Sequence, residues 1–150
     1  YDLFCTEKPQ YQKILRSRKE LIECIGDYDY IVSTLPDNEQ TKGFINYELF
    51  NAMKKTVVVV NVGRRAVFNE TDFYQALKTK KIGGAVLDMF EKIPNPITNK
   101  FRRLSNVMVL PGVSAISQEV NERLRNYMSR NMIALLENKD VSNIINRKKN

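Results

Sequence analysis

Two arginines follow the most apolar stretch of the sequence, where a charged side chain could bind an anion. Residues 57–60 are four consecutive valines, and the chain continues NVGRR to Arg65. A planar guanidinium can hold a carboxylate with two parallel charge-assisted hydrogen bonds. Gly63, next to Arg64, lets the backbone approach a ligand closely. Arg64 and Arg65 are therefore candidates for an anion clamp, and the alternative is that both are solvated loop charges.

The valine run indicates the element that positions these arginines. It lacks the alternation of a half-exposed strand and the length of a helix, so it predicts a strand buried on both faces. Such strands are typical of parallel sheets. Ligands bind outside the carboxyl ends of the strands in open α/β sheets. The loop with the arginines is therefore predicted to lie at a ligand-binding edge.

Strands and helices alternate along the rest of the chain. Strands are predicted at residues 30–34, 56–61, 85–90 and 107–110. A capping box at Ser17 opens a helix that buries Leu21, Ile22 and Ile25 and ends at Gly26. Other helices are predicted at residues 46–53, from Asn69 to the Gly83–Gly84 pair, and at 117–138. The alternation indicates βαβ units with right-handed crossovers, and hence an α/β fold with a parallel sheet and flanking helices.

The last predicted helix has an apolar face. Core packing is the expected role of its apolar side chains, which are Val120, Leu124, Tyr127, Ile133, Leu135 and Leu136.

Composition narrows the class of protein. The chain has 150 residues, 43% of them hydrophobic, which is ordinary for a globular domain. No apolar run approaches the roughly 18 residues that span a bilayer, and no secretory signal is visible, so a cytoplasmic protein without a membrane partner is expected. Cys5 and Cys24 have no metal-ligand spacing. They are interpreted as reduced structural thiols, and no metal site is expected.

The net charge of +7 raises the question of nucleic-acid binding. The basic residues form short scattered clusters near residues 16–19, 78–81 and 147–149, without an aromatic stacking ladder. A solvated basic surface is therefore favoured over a nucleic-acid interface. The chain contains no histidine.

Five pieces of the sequence together resemble the D-isomer-specific 2-hydroxyacid dehydrogenases. In order they read YIVSTLP, VVVNVGRRAVFNE, GGAVLDMFEKIP, NVMVLPGVSA and NERLRNYMSRNMIALLENKDVSNIIN. The resemblance implies a Rossmann-type domain that binds NAD, in a family that reduces 2-keto acids or oxidises the matching 2-hydroxy acids. It divides the chain into a partial dinucleotide-binding domain at 1–115 and a C-terminal helix and tail at 116–150.

The resemblance also implies roles for individual residues. Arg64 matches the catalytic arginine that holds the substrate carboxylate, and Asp88 matches the aspartate that receives the nicotinamide carboxamide. The other cofactor-binding positions that it implies are Asp2 at the adenosine ribose, Leu35 and Pro36 at the adenosine end, and Val62, Gly63 and Gly112. An acid at Asp2 would repel a 2′-phosphate, so NAD is expected, with NADP as the alternative.

Two positions depart from the family pattern. Gly112 stands where the family has its acid/base histidine, and Ile93 stands where the family has the glutamate that orients it. A positioned acid or base contributes about 10²- to 10⁴-fold to a rate, so weak or no turnover is expected. The alternative is a non-catalytic homologue that binds the dinucleotide as a sensor or scaffold.

A third departure concerns the phosphate-binding turn. The six glycines never form a GxGxxG motif. We therefore expect the C-terminal part of a longer protein, without the first strand–helix unit of the fold. The strand at residues 30–34 would then have an unpaired edge, covered in a homodimer or by the remainder of the parent chain.

Overall fold

A computed structural model describes residues 13–88 and 100–141 of the chain. The chain divides into two compact units, Tyr1–Gly112 and Val113–Asn150. The first unit contains a sheet with helices, and the described part of the second, residues 113–141, contains one long helix.

The sheet has four parallel strands in the order in which they occur along the chain. They are β1 Tyr30–Ser33, β2 Val58–Asn61, β3 Gly84–Leu87 and β4 Val107–Val109. Every neighbouring pair is parallel, which confirms the predicted α/β architecture. The strands are slightly shorter than predicted, and Met89 and Phe90, predicted in the third strand, lie outside the described residues.

The first unit has three helices at the predicted places, and two of them begin at the predicted caps, Ser17 and Asn69. The three helices are α1 Arg18–Cys24, α2 Tyr47–Ala52 and α3 Glu70–Lys78. The Glu20 N–H donates to Ser17 Oγ at 3.2 Å, and the Asp72 N–H donates to Asn69 Oδ1 at 3.1 Å. Each bond satisfies a backbone donor that the first helical turn leaves unpaired.

Two predicted helix ends are wrong. Gly26 does not end α1, because the chain tightens into a 3₁₀ turn over Ile25–Asp27. The third helix ends at Lys78 rather than at the glycine pair. Lys80 has a φ of 55°, so this lysine already takes the backbone conformation that turns the chain away from the helix.

The core lies between these helices and one face of the sheet. Phe73 of α3 is fully buried, and its ring stacks on Phe50 at 5.1 Å and on Phe68 at 4.8 Å between centroids. Val59 and Leu87 bring the sheet into the same cluster. This packing fixes α2 and α3 on the sheet.

The described residues of the first unit leave the opposite face of the sheet partly exposed. The register aligns one residue from each strand across this face, and the row consists of Val32, Val60, Val86 and Met108. Val32 is 60% exposed and Met108 is 59% exposed. The prediction that the valine strand is buried on both faces is therefore wrong, because Val60 is only partly buried whereas Val59 is completely buried.

The second unit contains α4, Gln118–Leu136, which begins at an N-cap where the Val120 N–H donates to Ser117 Oγ at 3.2 Å. No residue of the helix is buried, and the core packing of its apolar face stays a prediction. Leu124, for example, is 53% exposed. No described helix is long and apolar enough to span a membrane.

Candidate functional site

The predicted site residues that the structure describes follow the carboxyl ends of the four strands, which are called the carboxyl edge of the sheet. Ser33, Asn61, Leu87 and Val109 form the last aligned row of the four strands. The described site residues follow this row, and they are Leu35 and Pro36 after β1, Val62, Gly63 and Arg64 after β2, Asp88 after β3, and Gly112 after β4. Asp2 and Ile93 lie outside the described residues.

The turn after β2 is bonded to the end of β1. The N–H groups of Val62 and Gly63 both donate to the carbonyl oxygen of Ser33, at 3.2 and 3.0 Å. A Cβ on Gly63 would lie 2.9 Å from Leu35 O and 3.0 Å from the carbonyl carbon of Thr34. Glycine is needed here because the chain's own backbone fills the space beside it.

The loop beyond the arginines is held from the other side. The segment before α2 pairs with it, as the Gly43 N–H donates to Ala66 O at 2.7 Å and the Ile45 N–H donates to Val67 O at 2.9 Å. The Asn69 N–H returns a bond of 2.9 Å to Ile45 O. Arg64 and Arg65 are thus carried on a loop that is fixed at both ends.

The two arginines have different surroundings. Arg65 Nη1 lies 2.5 Å from Glu70 Oε2 at the start of α3, and Lys100 Nζ lies 3.2 Å from the other carboxylate oxygen. Arg64 is exposed, and within residues 13–88 and 100–141 its side chain forms no hydrogen bond or ion pair. Arg64 is therefore the arginine that is available to an external anion.

Asp88 is a buried acid at the same edge. It is only 3% exposed, directly after β3. Its N–H donates to the carbonyl oxygen of Asn61 at 3.0 Å, which ties its backbone to the end of β2. The arrangement combines one buried acid with one exposed guanidinium, which suits a ligand with both an amide donor and an anionic group.

Asn61 is a residue of this edge that the sequence reasoning did not select. It is completely buried, and its Oδ1 accepts the Gly63 N–H at 3.1 Å. Among the described residues its Nδ2 has no hydrogen-bond partner, and neither has the buried Oγ of Ser33 beside it. The available signal was its position, as a polar residue that ends the valine run and opens the arginine loop.

Gly112 has a φ of 76°. This left-handed conformation is open to glycine and costs about 1–2 kcal/mol for most other residues. A histidine at this position would therefore be strained in the present backbone.

Comparison with known proteins identifies the family. Residues 1–114 match the family described as D-isomer specific 2-hydroxyacid dehydrogenase, NAD binding domain. The chain belongs to this family. The predicted resemblance is thus confirmed, and the family assignment covers the sheet and its carboxyl edge.

Individual relatives agree with the assignment. Glyoxylate reductase from Korarchaeum cryptofilum is 31% identical over 127 residues, which are 85% of this chain and 38% of that protein. The D-isomer specific 2-hydroxyacid dehydrogenase family protein from Klebsiella pneumoniae 342 superposes with a TM-score of 0.77 at 25% identity, over 88% of this chain and 42% of its own.

A probable 2-hydroxyacid dehydrogenase from Rhizobium etli, solved in complex with NADP, HEPES and L(+)-tartaric acid, has a TM-score of 0.69 at 28% identity. The match covers 86% of this chain and 42% of that one. The chain therefore spans less than half of the length of each of these three relatives.

Proposed function

We propose that this chain holds the nicotinamide end of NAD, and that in the complete protein Arg64 binds the carboxylate of a 2-keto acid during its reduction to a 2-hydroxy acid. The observation that carries the proposal is the contrast between the two arginines. Glu70 engages Arg65, whereas Arg64 is exposed and uncommitted among the described residues, at the strand edge that also holds Asp88.

The residues of the edge fit one half of the dinucleotide. The buried carboxyl of Asp88 suits the carboxamide N–H₂ group, and Val62 and Gly63 would border the nicotinamide ring. Leu35 and Pro36 would line the adenosine end. The pyrophosphate lacks a matching feature, because no GxGxxG turn occurs in the sequence.

Reduction of a keto group requires a hydride at the carbon and a proton at the oxygen. NADH supplies the hydride when it is bound. Arg64 would hold the substrate carboxylate and polarise the neighbouring carbonyl, but a guanidinium keeps its protons at neutral pH. Since Gly112 and Ile93 occupy the positions of the family's acid/base pair, water or another group would have to supply the proton. We expect turnover about 10²- to 10⁴-fold below that of an enzyme with a positioned acid.

A second candidate function is dinucleotide binding without catalysis, as a sensor or scaffold. The residues at the positions of the family's acid/base pair favour it, because neither Gly112 nor Ile93 has a side chain that can move a proton. The sequence contains no histidine.

A matched pair of variants tests the role of Arg64. NADH binding is followed by fluorescence titration, and turnover is assayed with a panel of 2-keto acids. Arg64→Ala should weaken keto-acid binding about 10- to 100-fold, as expected for a lost charged hydrogen bond, whereas Arg65→Ala should leave it nearly unchanged. An equal or larger loss in Arg65→Ala would refute the proposal. Turnover at ordinary enzymatic rates in the unmodified protein would exclude the sensor function and the argument from the missing acid/base pair.

NAD is the proposed cofactor, and NADP is the alternative. The Rhizobium etli relative was solved with NADP, whereas the acid at Asp2 favours NAD by repelling a 2′-phosphate. Parallel titrations with NADH and NADPH, repeated on Asp2→Ala, separate the two. Tighter binding of NADPH than NADH by the unmodified protein would contradict the choice of NAD.

The edge of β1 supports a proposal about partners. Among the described strands β1 pairs only with β2, and Tyr30 is 70% exposed. A groove of about 320 Å³ lies along this edge, lined by apolar residues that include Leu21, Leu49 and Met53. We propose that a second copy or the remainder of a parent chain covers the edge. A monomer in light scattering with rapidly exchanging amides at residues 30–33 would contradict this.

We also propose a cytoplasmic location. The free, partly exposed thiol of Cys24 suits a reducing compartment. Recovery of the protein in an oxidising compartment after cell fractionation would contradict this location.

A further inference from the structure

Asn61 connects three strand ends at the carboxyl edge. Its side-chain oxygen accepts the Gly63 N–H at 3.1 Å, directly before Arg64. Its carbonyl oxygen accepts the Asp88 N–H at 3.0 Å. The Gly63 N–H is shared with the carbonyl oxygen of Ser33 at 3.0 Å, so the same small network reaches β1.

The orientation of the Asn61 amide follows from its partner. The Gly63 N–H needs an acceptor, so Oδ1 faces Gly63 and Nδ2 points away from it. Nδ2 then remains buried without a partner within residues 13–88 and 100–141. Burying an unpaired amide donor costs free energy of folding, and native proteins avoid it in the large majority of cases.

The side-chain oxygen of Asn61 is one of two acceptors of the Gly63 N–H. The Gly63 N–H keeps Ser33 O as an acceptor if Oδ1 is removed, so no new buried donor would be left unpaired. What the side chain adds is geometric. It closes a short turn from residue 61 to residue 63, in the manner of an Asx turn, and thereby sets where the chain emerges at Arg64.

We propose that Asn61 is a positioning residue, which fixes the Gly63–Arg64 turn relative to Asp88. The Arg64 guanidinium and the buried Asp88 carboxyl can then contact the same ligand. This role rests on the proposed function, since it concerns the same anion-binding arginine. Asn61 itself touches neither substrate nor cofactor in this scheme. Because Asn61 Oδ1 faces the Gly63 N–H, the Nδ2 of the same amide is buried without a partner among the described residues.

Two variants of nearly equal size isolate the side-chain oxygen. Asn61→Ala removes the acceptor, whereas Asn61→Ser offers a hydroxyl oxygen that can bond the N–H two residues later. Both leave a similar space in the core. Ser33→Ala is the control, because it removes the neighbouring unpaired hydroxyl and leaves the backbone acceptor of the turn intact.

Three measurements are made on the 150-residue chain. They are urea unfolding, amide hydrogen exchange at Gly63 and Arg64, and NMR titration in the presence of NADH with oxamate, an unreactive analogue of a 2-keto acid. We expect the same unfolding midpoint for Asn61→Ala and Asn61→Ser. Asn61→Ala should exchange the Gly63 and Arg64 amides faster and bind oxamate about 3- to 10-fold more weakly than Asn61→Ser, a loss typical of one neutral hydrogen bond. Ser33→Ala should behave like the unmodified protein.

Equal oxamate affinity and equal amide exchange in the two Asn61 variants would overturn the proposal. A loss of affinity that only follows a loss of stability would overturn it too, because that is the behaviour of a structural residue. If neither the unmodified chain nor the complete protein binds oxamate, the proposed function fails. In that case the exchange rates at Gly63 and Arg64 still decide whether Asn61 positions the turn.

Discussion

Replacement of Gly63 by alanine should distort the exit of β2. The new Cβ would lie 2.9 Å from Leu35 O, 3.0 Å from the Thr34 carbonyl carbon and 3.1 Å from Leu35 N. All three are backbone atoms directly after β1, so no flexible side chain can move aside. Relief would require a shift of about 0.5 Å to reach ordinary contact distances, which separates the two strand exits.

The expected loss of stability has two sources. Overpacking of this kind costs about 1–3 kcal/mol. The shift also weakens the bonds from Val62 and Gly63 to Ser33 O, which have lengths of 3.2 and 3.0 Å, and a typical hydrogen bond is worth about 1 kcal/mol. A total of about 2–3 kcal/mol corresponds to a fall in Tm of about 4–12 °C for a chain of this size.

Urea unfolding of Gly63→Ala and Gly43→Ala measures this effect against a matched control. Gly43 has a φ of 63° with nothing within 4 Å of an added Cβ, so alanine there adds backbone strain without a collision. That strain should cost about 1–2 kcal/mol. If Gly63→Ala is as stable as the unmodified chain, or loses less than Gly43→Ala, the packing argument for the β2 exit is wrong.

Three further predictions concern the fold of the first unit. Phe73→Ala should lose about 3–5 kcal/mol in urea unfolding, because the ring is completely buried between other aromatic rings; a loss under 1 kcal/mol would contradict this packing. Glu20 accepts hydrogen bonds from the Arg16 N–H and the Ser17 hydroxyl, which lower its pKa from the ordinary 4.5. The ionised form of Glu20 therefore stabilises α1 above pH 4.5, and this contribution is lost as the pH falls through the lowered pKa. Ser17→Ala should raise the pKa of Glu20 in an NMR titration. An unchanged pKa would argue against the cap. Glu70→Gln breaks the two ion pairs at the start of α3, which are partly exposed, so the loss should stay below about 1 kcal/mol and shrink in 1 M salt; a larger, salt-independent loss would refute this.

The sequence predicts the strands and helix starts because their signals are local. Four valines in a row suit a parallel strand, and Ser17 and Asn69 cap helices through bonds to residues three positions away. The open sheet face at Val32 and Met108 was missed for a different reason. Apolar periodicity shows that a face is hydrophobic, but it does not show which layer covers it.

The candidate site was only partly accessible to sequence reasoning. A pair of adjacent arginines gives no sign of which one is engaged, because this depends on the 3₁₀ turn at Arg65–Val67 that leads to Glu70. Asn61 was missed because its contacts lie within the turn and across strands. Such contacts depend on the folded register rather than on residue type. The roles of Arg64, Asp88 and Gly112 remain predictions.

The all-parallel sheet also constrains how the first unit folds. Parallel neighbours cannot be joined by a tight hairpin. Each of the three strand pairs, β1 with β2, β2 with β3 and β3 with β4, therefore forms only after the segment between its strands has closed a long loop. Such high contact order slows folding, and it leaves no two-stranded nucleus that could form early by itself. In pulse-labelling experiments the amides of all four strands should therefore become protected in one slow, common phase.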